Sequence, residues 1–118
     1  MEESRPRLEY RVAERQGDRV RVQLHGEMVG AGQMAHIRQA LEQHFVDDGV
    51  RVITLDLSTV HFLDSFGAAT LVGLMQESER QGKRLLVTGA ERQVRDKLRV
   101  TGLLSVLEEG LEPESRGS

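Results

Sequence analysis

Hydrophobic residues recur along this chain in two periods, and the switches between them divide it into elements. Leu8, Tyr10 and Val12 alternate with polar neighbours, and Val20, Val22 and Leu24 do the same after Gln16-Gly17-Asp18. Alternation puts one set of side chains on one face of a strand, so two short half-buried strands joined as a hairpin are predicted. From Gln33 the period lengthens. Met34, Ile37, Leu41 and Phe45 form the stripe of an amphipathic helix, with Asp47-Asp48-Gly49 as its stop. Val50 to Leu57 is β-branched and largely apolar in both phases, the pattern of a central strand covered by other elements. Ser58 to Leu63 reads as a connection leading to Asp64-Ser65. Ala68, Leu71, Val72 and Met75 mark a second helical face, closed at Gly82 with Arg80 and Lys83 near its negative end. Leu85-Leu86-Val87 is a short strand, and Val94 and Leu98 pick out a third helix over Glu91 to Val100. Leu103, Leu104, Val106 and Leu107 form a last patch, an edge strand or one helical turn.

The order from Gln33 onward is αβαβα, and a strand-helix-strand unit implies parallel neighbours joined by a right-handed crossover. An α/β domain over residues 8–107 is expected, between a disordered N-terminus (1–7) and a flexible charged tail (108–118). A length of 118 residues suits one core and is too short for two.

Composition narrows the chemistry. Only 3% of residues are aromatic and none is tryptophan, so the core must be aliphatic, and stacking platforms for sugars or single-stranded nucleic acid are lacking. A net charge of -3 offers no basic excess for nucleic-acid phosphates. The absence of cysteine rules out disulfides and thiolate metal sites and fits a reducing compartment. No apolar run approaches the ~18 residues of a membrane span, and the first residues lack a signal pattern, so a cytoplasmic protein without membrane insertion is expected. His25, His36, His44 and His61 have no metal-binding spacing, and a surface role is expected for them. The chain lacks a Gly-x-x-x-x-Gly-Lys loop, and Gly30-Ala31-Gly32 reads as a flexible turn. Neither a metal nor a cofactor is expected.

The candidate site is Asp64-Ser65-Phe66-Gly67, where a buried strand gives way to a helix. Helix-opening N–H groups have no intrahelical partner, so a hydroxyl there lies in surroundings prepared for an anion. The plain alternative is an N-cap, worth ~1 kcal/mol. Gly67 serves either close packing or a partner's approach to the backbone, and Phe66 either an apolar contact or the core. Asp56 could be compared with a strand-borne phosphoacceptor aspartate, but the first strands offer no acidic pair for Mg²⁺. A polar role at the strand's end, bonded to a neighbouring loop, is expected for it. Hydrolysis through Ser65 would need an oriented base, and His61 has no evident acid to orient it; the chain is not expected to be an enzyme.

These residues carry a family resemblance. Val52-Ile53-Thr54-Leu55-Asp56-Leu57-Ser58, then Val60, Phe62, Leu63 and Asp64-Ser65-Phe66-Gly67, resemble the signature of STAS domains. His25-Gly26-Glu27 is similar to the family's Gly-Glu opening, Gly82-Lys83-Arg84-Leu85 to its glycine before the fourth strand, and Val100-Thr101-Gly102-Leu103 to its Thr-Gly-Leu. The resemblance implies a mixed sheet of four to five strands with helices mainly on one face. For anti-sigma factor antagonists in the family it implies a serine, here Ser65, phosphorylated by an anti-sigma factor serine kinase. The unphosphorylated form binds that kinase and frees a sigma factor, phosphorylation releases it, and a PP2C-type phosphatase resets the cycle. The implied partner-binding face is Asp64, Ser65, Phe66 and Gly67 with Glu27, Met28 and Val29. Where the family often has Leu-Asp after Gly-Glu, Met28-Val29-Gly30-Ala31-Gly32 stands here. Two other roles fit the same domain: an accessory subunit docked on the ATPase of an ABC lipid transport complex, and a switch in another partner-switching pathway.

Overall fold

The computed structural model describes residues 8–100, with Val100 as backbone only. The expected disordered N-terminus, the charged tail, the Leu103 to Leu107 patch and most of the Val100-Thr101-Gly102-Leu103 motif lie outside these residues. The hairpin forms as predicted, with β1 (Glu9–Gln16) and β2 (Arg19–Met28) turning at Gly17. The elements that follow are α1 (Ala31–Phe45), β3 (Val52–Leu63), α2 (Ser65–Arg80), β4 (Arg84–Thr88) and α3 (Arg92–Val100). The described strands make one sheet in the order β1-β2-β3-β4, antiparallel between β1 and β2 and parallel thereafter.

The aliphatic stripes meet on one face of this sheet. Val20, Val22, Leu24 and Met28 of β2 and Ile53, Leu55, Leu57, Val60 and Leu63 of β3 join Met34, Ile37, Leu41 and Phe45 of α1. Ala68, Leu71 and Leu74 of α2 and Val94 and Leu98 of α3 complete the cluster. The opposite face is polar where β1, β2 and β3 meet: Arg11 donates to Gln23 and Arg21 pairs with Asp56 at 3.2 Å.

Five expectations need correction. β1 is exposed along its whole length instead of half-buried. Tyr10 and Val12 do share the helix-side face, opposite Leu24 and Val22, but β1 is the edge strand and the helices pack over β2, β3 and β4. Gly30-Ala31-Gly32 is no flexible turn: α1 starts at Ala31, and Gly30, at φ +85°, is its N-cap. The stretch Ser58 to Leu63 is not a connection but the second half of β3, paired with β2 through two register shifts. In the first of these, residues 56 to 59 of β3 span what 23 to 25 span on β2, which puts one extra residue in β3. Asp56 holds this bulge: its Oδ1 accepts from the Ser58 N–H at 2.9 Å. Asp56 thus lies within the strand, not at its end. Burial would raise its pKa, but hydrogen bonds from Ser58 and the Arg21 guanidinium outweigh burial and hold it below the ordinary carboxylate range.

The fifth correction concerns His44, which is buried in the last turn of α1, unlike the exposed His25, His36 and His61. The expected closure of α2, by contrast, takes full form. Gly82, at φ +71°, lets its own N–H reach the Glu79 carbonyl and the Lys83 N–H reach that of Ser78, the paired bonds of a Schellman motif. The Lys83 ammonium then donates to the carbonyls of Asp47 at 2.8 Å and Val50 at 2.6 Å, tying the end of α2 to the loop after α1.

His44 sets a pH limit on stability. Burial, with help from Arg15, lowers its pKa below the model-compound value of 6.5, against a smaller opposing effect of Asp47. The unfolded chain therefore takes up a proton at a pH where the folded chain does not, and stability falls as pH drops below about 6.5. Urea unfolding at pH 7.5 and pH 5.5 should give a lower midpoint at the acid value. His44→Leu should narrow that difference.

Candidate functional site

Parallel pairing of β2 and β3 ends at Met28 and Leu63, so the loops leaving both strands lie side by side. Asp64 occupies that junction. In an extended conformation (φ -102°, ψ -168°) it caps α2, its Oδ1 accepting from the Gly67 N–H at 2.9 Å. Its Oδ2 accepts from the Gly30 N–H at 3.1 Å, and its own N–H donates to the Met28 carbonyl at 3.2 Å. One residue thereby caps one helix, holds the N-cap residue of another and closes the strand ladder. Gln33 fixes the other side of the loop. Its side-chain amide donates to the carbonyls of Glu27 and Val29 at 3.0 and 2.9 Å, while its Oε1 accepts from the Leu8 N–H at 2.7 Å.

The cap is therefore made by Asp64, and Ser65 is left as the first residue of α2, exposed, with its hydroxyl free of the capping role. Phe66 beside it is 50% exposed, which decides between its two readings in favour of the surface. Gly67 is buried in close packing. A Cβ there would stand 2.3 Å from the Met28 carbonyl oxygen and 2.9 Å from Leu63 Cβ, so the helix can approach the loop only with glycine at this place.

The expected binding residues thus separate by burial. Ser65 and Phe66 are on the surface, and Asp64, Glu27 and Val29 are half-buried. Met28 is fully buried and Gly67 nearly so; they form the floor on which the surface residues stand. Asp56 is elsewhere on the sheet, its two oxygens engaged by Ser58 and Arg21. The His61 ring pairs with Glu91 at 3.1 Å on the surface. Sequence reasoning missed two neighbours of the site. Phe62, 42% exposed, carries the Lys97 ammonium 4.5 Å from its ring centre, and Gln33 fastens the loop. Among the described residues no cluster could hold a metal ion, and no helix is long and apolar enough to cross a membrane.

Fold and site together define a class: a small mixed sheet, helices on one face, whose central parallel strand delivers an exposed serine to the first turn of a helix. The STAS domain family matches residues 10–115, and the chain belongs to that family. It is 26% identical over 112 residues to the anti-sigma-B factor antagonists of Listeria monocytogenes and Listeria innocua, in alignments spanning 94% of this chain and 96% of theirs. Among solved structures, the anti-sigma factor antagonist SpoIIAA in its unphosphorylated form matches with a TM-score of 0.71 at 20% identity, over 88% of this chain and 86% of that one. Part of the murine solute carrier 26 family member A9, an anion transporter, matches with a TM-score of 0.73 at 19% identity, over 84% of this chain and 17% of that one. At such identities the structural likenesses establish the fold.

Glycine substitutions test the packing at the site. Gly67→Ala forces a methyl group onto backbone and should cost about 1–3 kcal/mol or more in chemical denaturation. Gly73→Ala is the control: the three atoms nearest its Cβ, at 3.1–3.2 Å, all belong to the flexible guanidinium of Arg38, which can move aside. It should be neutral or stabilising by up to about 1 kcal/mol, because alanine is the better helix former.

Proposed function

We propose that this protein is an anti-sigma factor antagonist working by partner switching. Its unphosphorylated face at Ser65 and Phe66 binds an anti-sigma factor serine kinase, and phosphorylation of Ser65 dissolves the complex. The observation that carries this reading is the division of labour at the mouth of α2: Asp64 performs the cap, and Ser65 presents an exposed hydroxyl with no part in it. The names of the Listeria relatives, which align over nearly their full length, support it.

The physics of the switch follows from the position. A phosphate brings about -1.5 to -2 charges at neutral pH. The positive end of the α2 dipole, roughly half an elementary charge, tolerates that charge, so the helix stays formed. A partner surface fitted to a neutral hydroxyl and the exposed Phe66 ring must then desolvate a dianion, and the complex is lost. A PP2C-type phosphatase restores the binding form. The chain supplies the acceptor and performs no catalysis. Docking in an ABC lipid transport complex is the second reading; it is favoured by the Met28 to Gly32 segment after Glu27, which offers no carboxylate.

Incubation with a purified anti-sigma factor kinase and ATP, followed by mass spectrometry, should place one phosphate on Ser65. Ser65→Asp should weaken the complex by at least about tenfold, 1.4 kcal/mol, with an unchanged unfolding midpoint, and Ser65→Ala should bind and stay bound in ATP. Unmodified Ser65 in a complex that persists with ATP would sink the phosphoswitch. Co-purification with a permease and its ATPase in place of a kinase would favour the transport role.

A further inference from the structure

Charge is distributed unevenly on this chain. Acidic residues outnumber basic ones, 19 to 16, yet α3 carries Arg92, Arg95, Lys97 and Arg99 against Asp96 alone. Val94 and Leu98 are buried in the core, which turns Arg92, Lys97 and Arg99 outward as exposed side chains. The helix is fastened against the second half of β3: the Gln93 amide donates to the His61 carbonyl, and Glu91 pairs with His61. This docking puts the Lys97 ammonium over the half-exposed Phe62 ring. Phe62 precedes Ser65 by three residues, so chain reach keeps their backbones within about 11 Å. Two exposed aromatic rings, Phe62 and Phe66, therefore flank the serine in sequence, and a basic helix borders the first of them. Among the described residues, the nearby carboxylates offset this only in part. Asp96 is paired with Arg99 at 2.8 Å, Glu91 with His61, and Glu27 is half-buried opposite Phe62 in the β2-β3 register.

We propose that the binding face extends from Ser65 and Phe66 across Phe62 to the basic surface of α3, and that its partner is a protein presenting an apolar pocket bordered by carboxylates. This rests on the partner-switching reading and adds the partner's chemistry to it. The rings supply the area that leaves water, and Arg92, Lys97 and Arg99 steer an acidic rim into place. The same complementarity gives the switch its direction. A phosphate on Ser65 adds negative charge beside carboxylates that had met a neutral or positive surface, so attraction becomes repulsion. An exposed cluster of this kind acts over about 8 Å at physiological salt, enough to span the rim of such an interface.

Surface plasmon resonance with a purified anti-sigma factor kinase, over a series of salt concentrations, tests this. Arg92→Glu/Lys97→Glu should weaken binding about tenfold or more, mostly through the on-rate, and flatten its salt dependence. Arg51→Glu/Arg84→Glu makes the same change of net charge at the opposite end of β3 and β4 and should leave binding within about twofold. Phe62→Ala should speed dissociation several-fold with an unchanged unfolding midpoint. Equal losses in both charge variants, or none in the α3 variant while the wild-type chain binds, would overturn this proposal and leave the partner-switching reading standing. No binding by the wild-type chain would overturn both. Phosphatidylserine vesicles and duplex DNA serve as further probes; loss of binding to these in the α3 variant, with kinase binding intact, would assign the basic face to lipid or nucleic acid and overturn the proposal.

Discussion

The Asp64 carboxylate is the constraint on which the working end of this molecule depends. Its two oxygens hold N–H groups of Gly67 and Gly30, one in the first turn of α2 and the other at the entrance to α1. Without it two helix mouths would each keep an unsatisfied donor, and the loop between β2 and α1 would lose its link to the strand end beside it. The close approach of Gly67 to the Met28 carbonyl belongs to the same arrangement, since the carboxylate can reach both donors only where the backbones nearly touch. Rigidity here is produced by the half-buried Asp64 and Gln33 side chains and by the backbone contact at Gly67, and the exposed side chains of Ser65 and Phe66 are spared from producing it.

Much of the fold is legible in the residues themselves. The three helical stripes and the strong β3 and β4 runs are read from periodicity because their burial is one-sided or complete, and burial is what periodicity encodes. The weaker places are those where another constraint displaced the pattern. Tyr10 and Val12 alternate as a buried face would, yet they belong to an edge strand beyond the cover of the helices. Ser58 to Leu63 looked like a connection because two bulges shift the phase of β3, so that Val60 and Leu63 are buried while His61 and Phe62 are exposed. Asp56 reads as a strand-end polar residue only until the bulge it holds is seen.

The site was legible in a different way. Local chemistry at Asp64-Ser65 supports a cap, and the structure places that cap on Asp64. The order of motifs around it supplies the family, which matches nearly the whole chain. Burial then separates what a motif leaves joined: of the seven residues expected at the binding face, Met28 and Gly67 lie under the surface, and Phe62, just outside the four-residue turn, lies on it. Neither Gln33 nor Lys97 could be found from spacing, because their contacts cross between elements distant in sequence.

This separation bears on how a switch can be built into so small a domain. A group that both caps a helix and accepts a phosphate would exchange one structural state for another on each modification, and the cost, about 1 kcal/mol for a lost cap, would be a sizeable fraction of the stability of a chain this short. Placing the cap on Asp64 and the hydroxyl one residue later removes that coupling. The capping bonds of the helix end are made by Asp64 and none of them uses the Ser65 hydroxyl, and the dipole that would favour an anion there is in place. Under the proposed switch, modification at this position would act on what the surface offers a partner, its charge and the water it holds, and would leave the capping bonds of Asp64 in place.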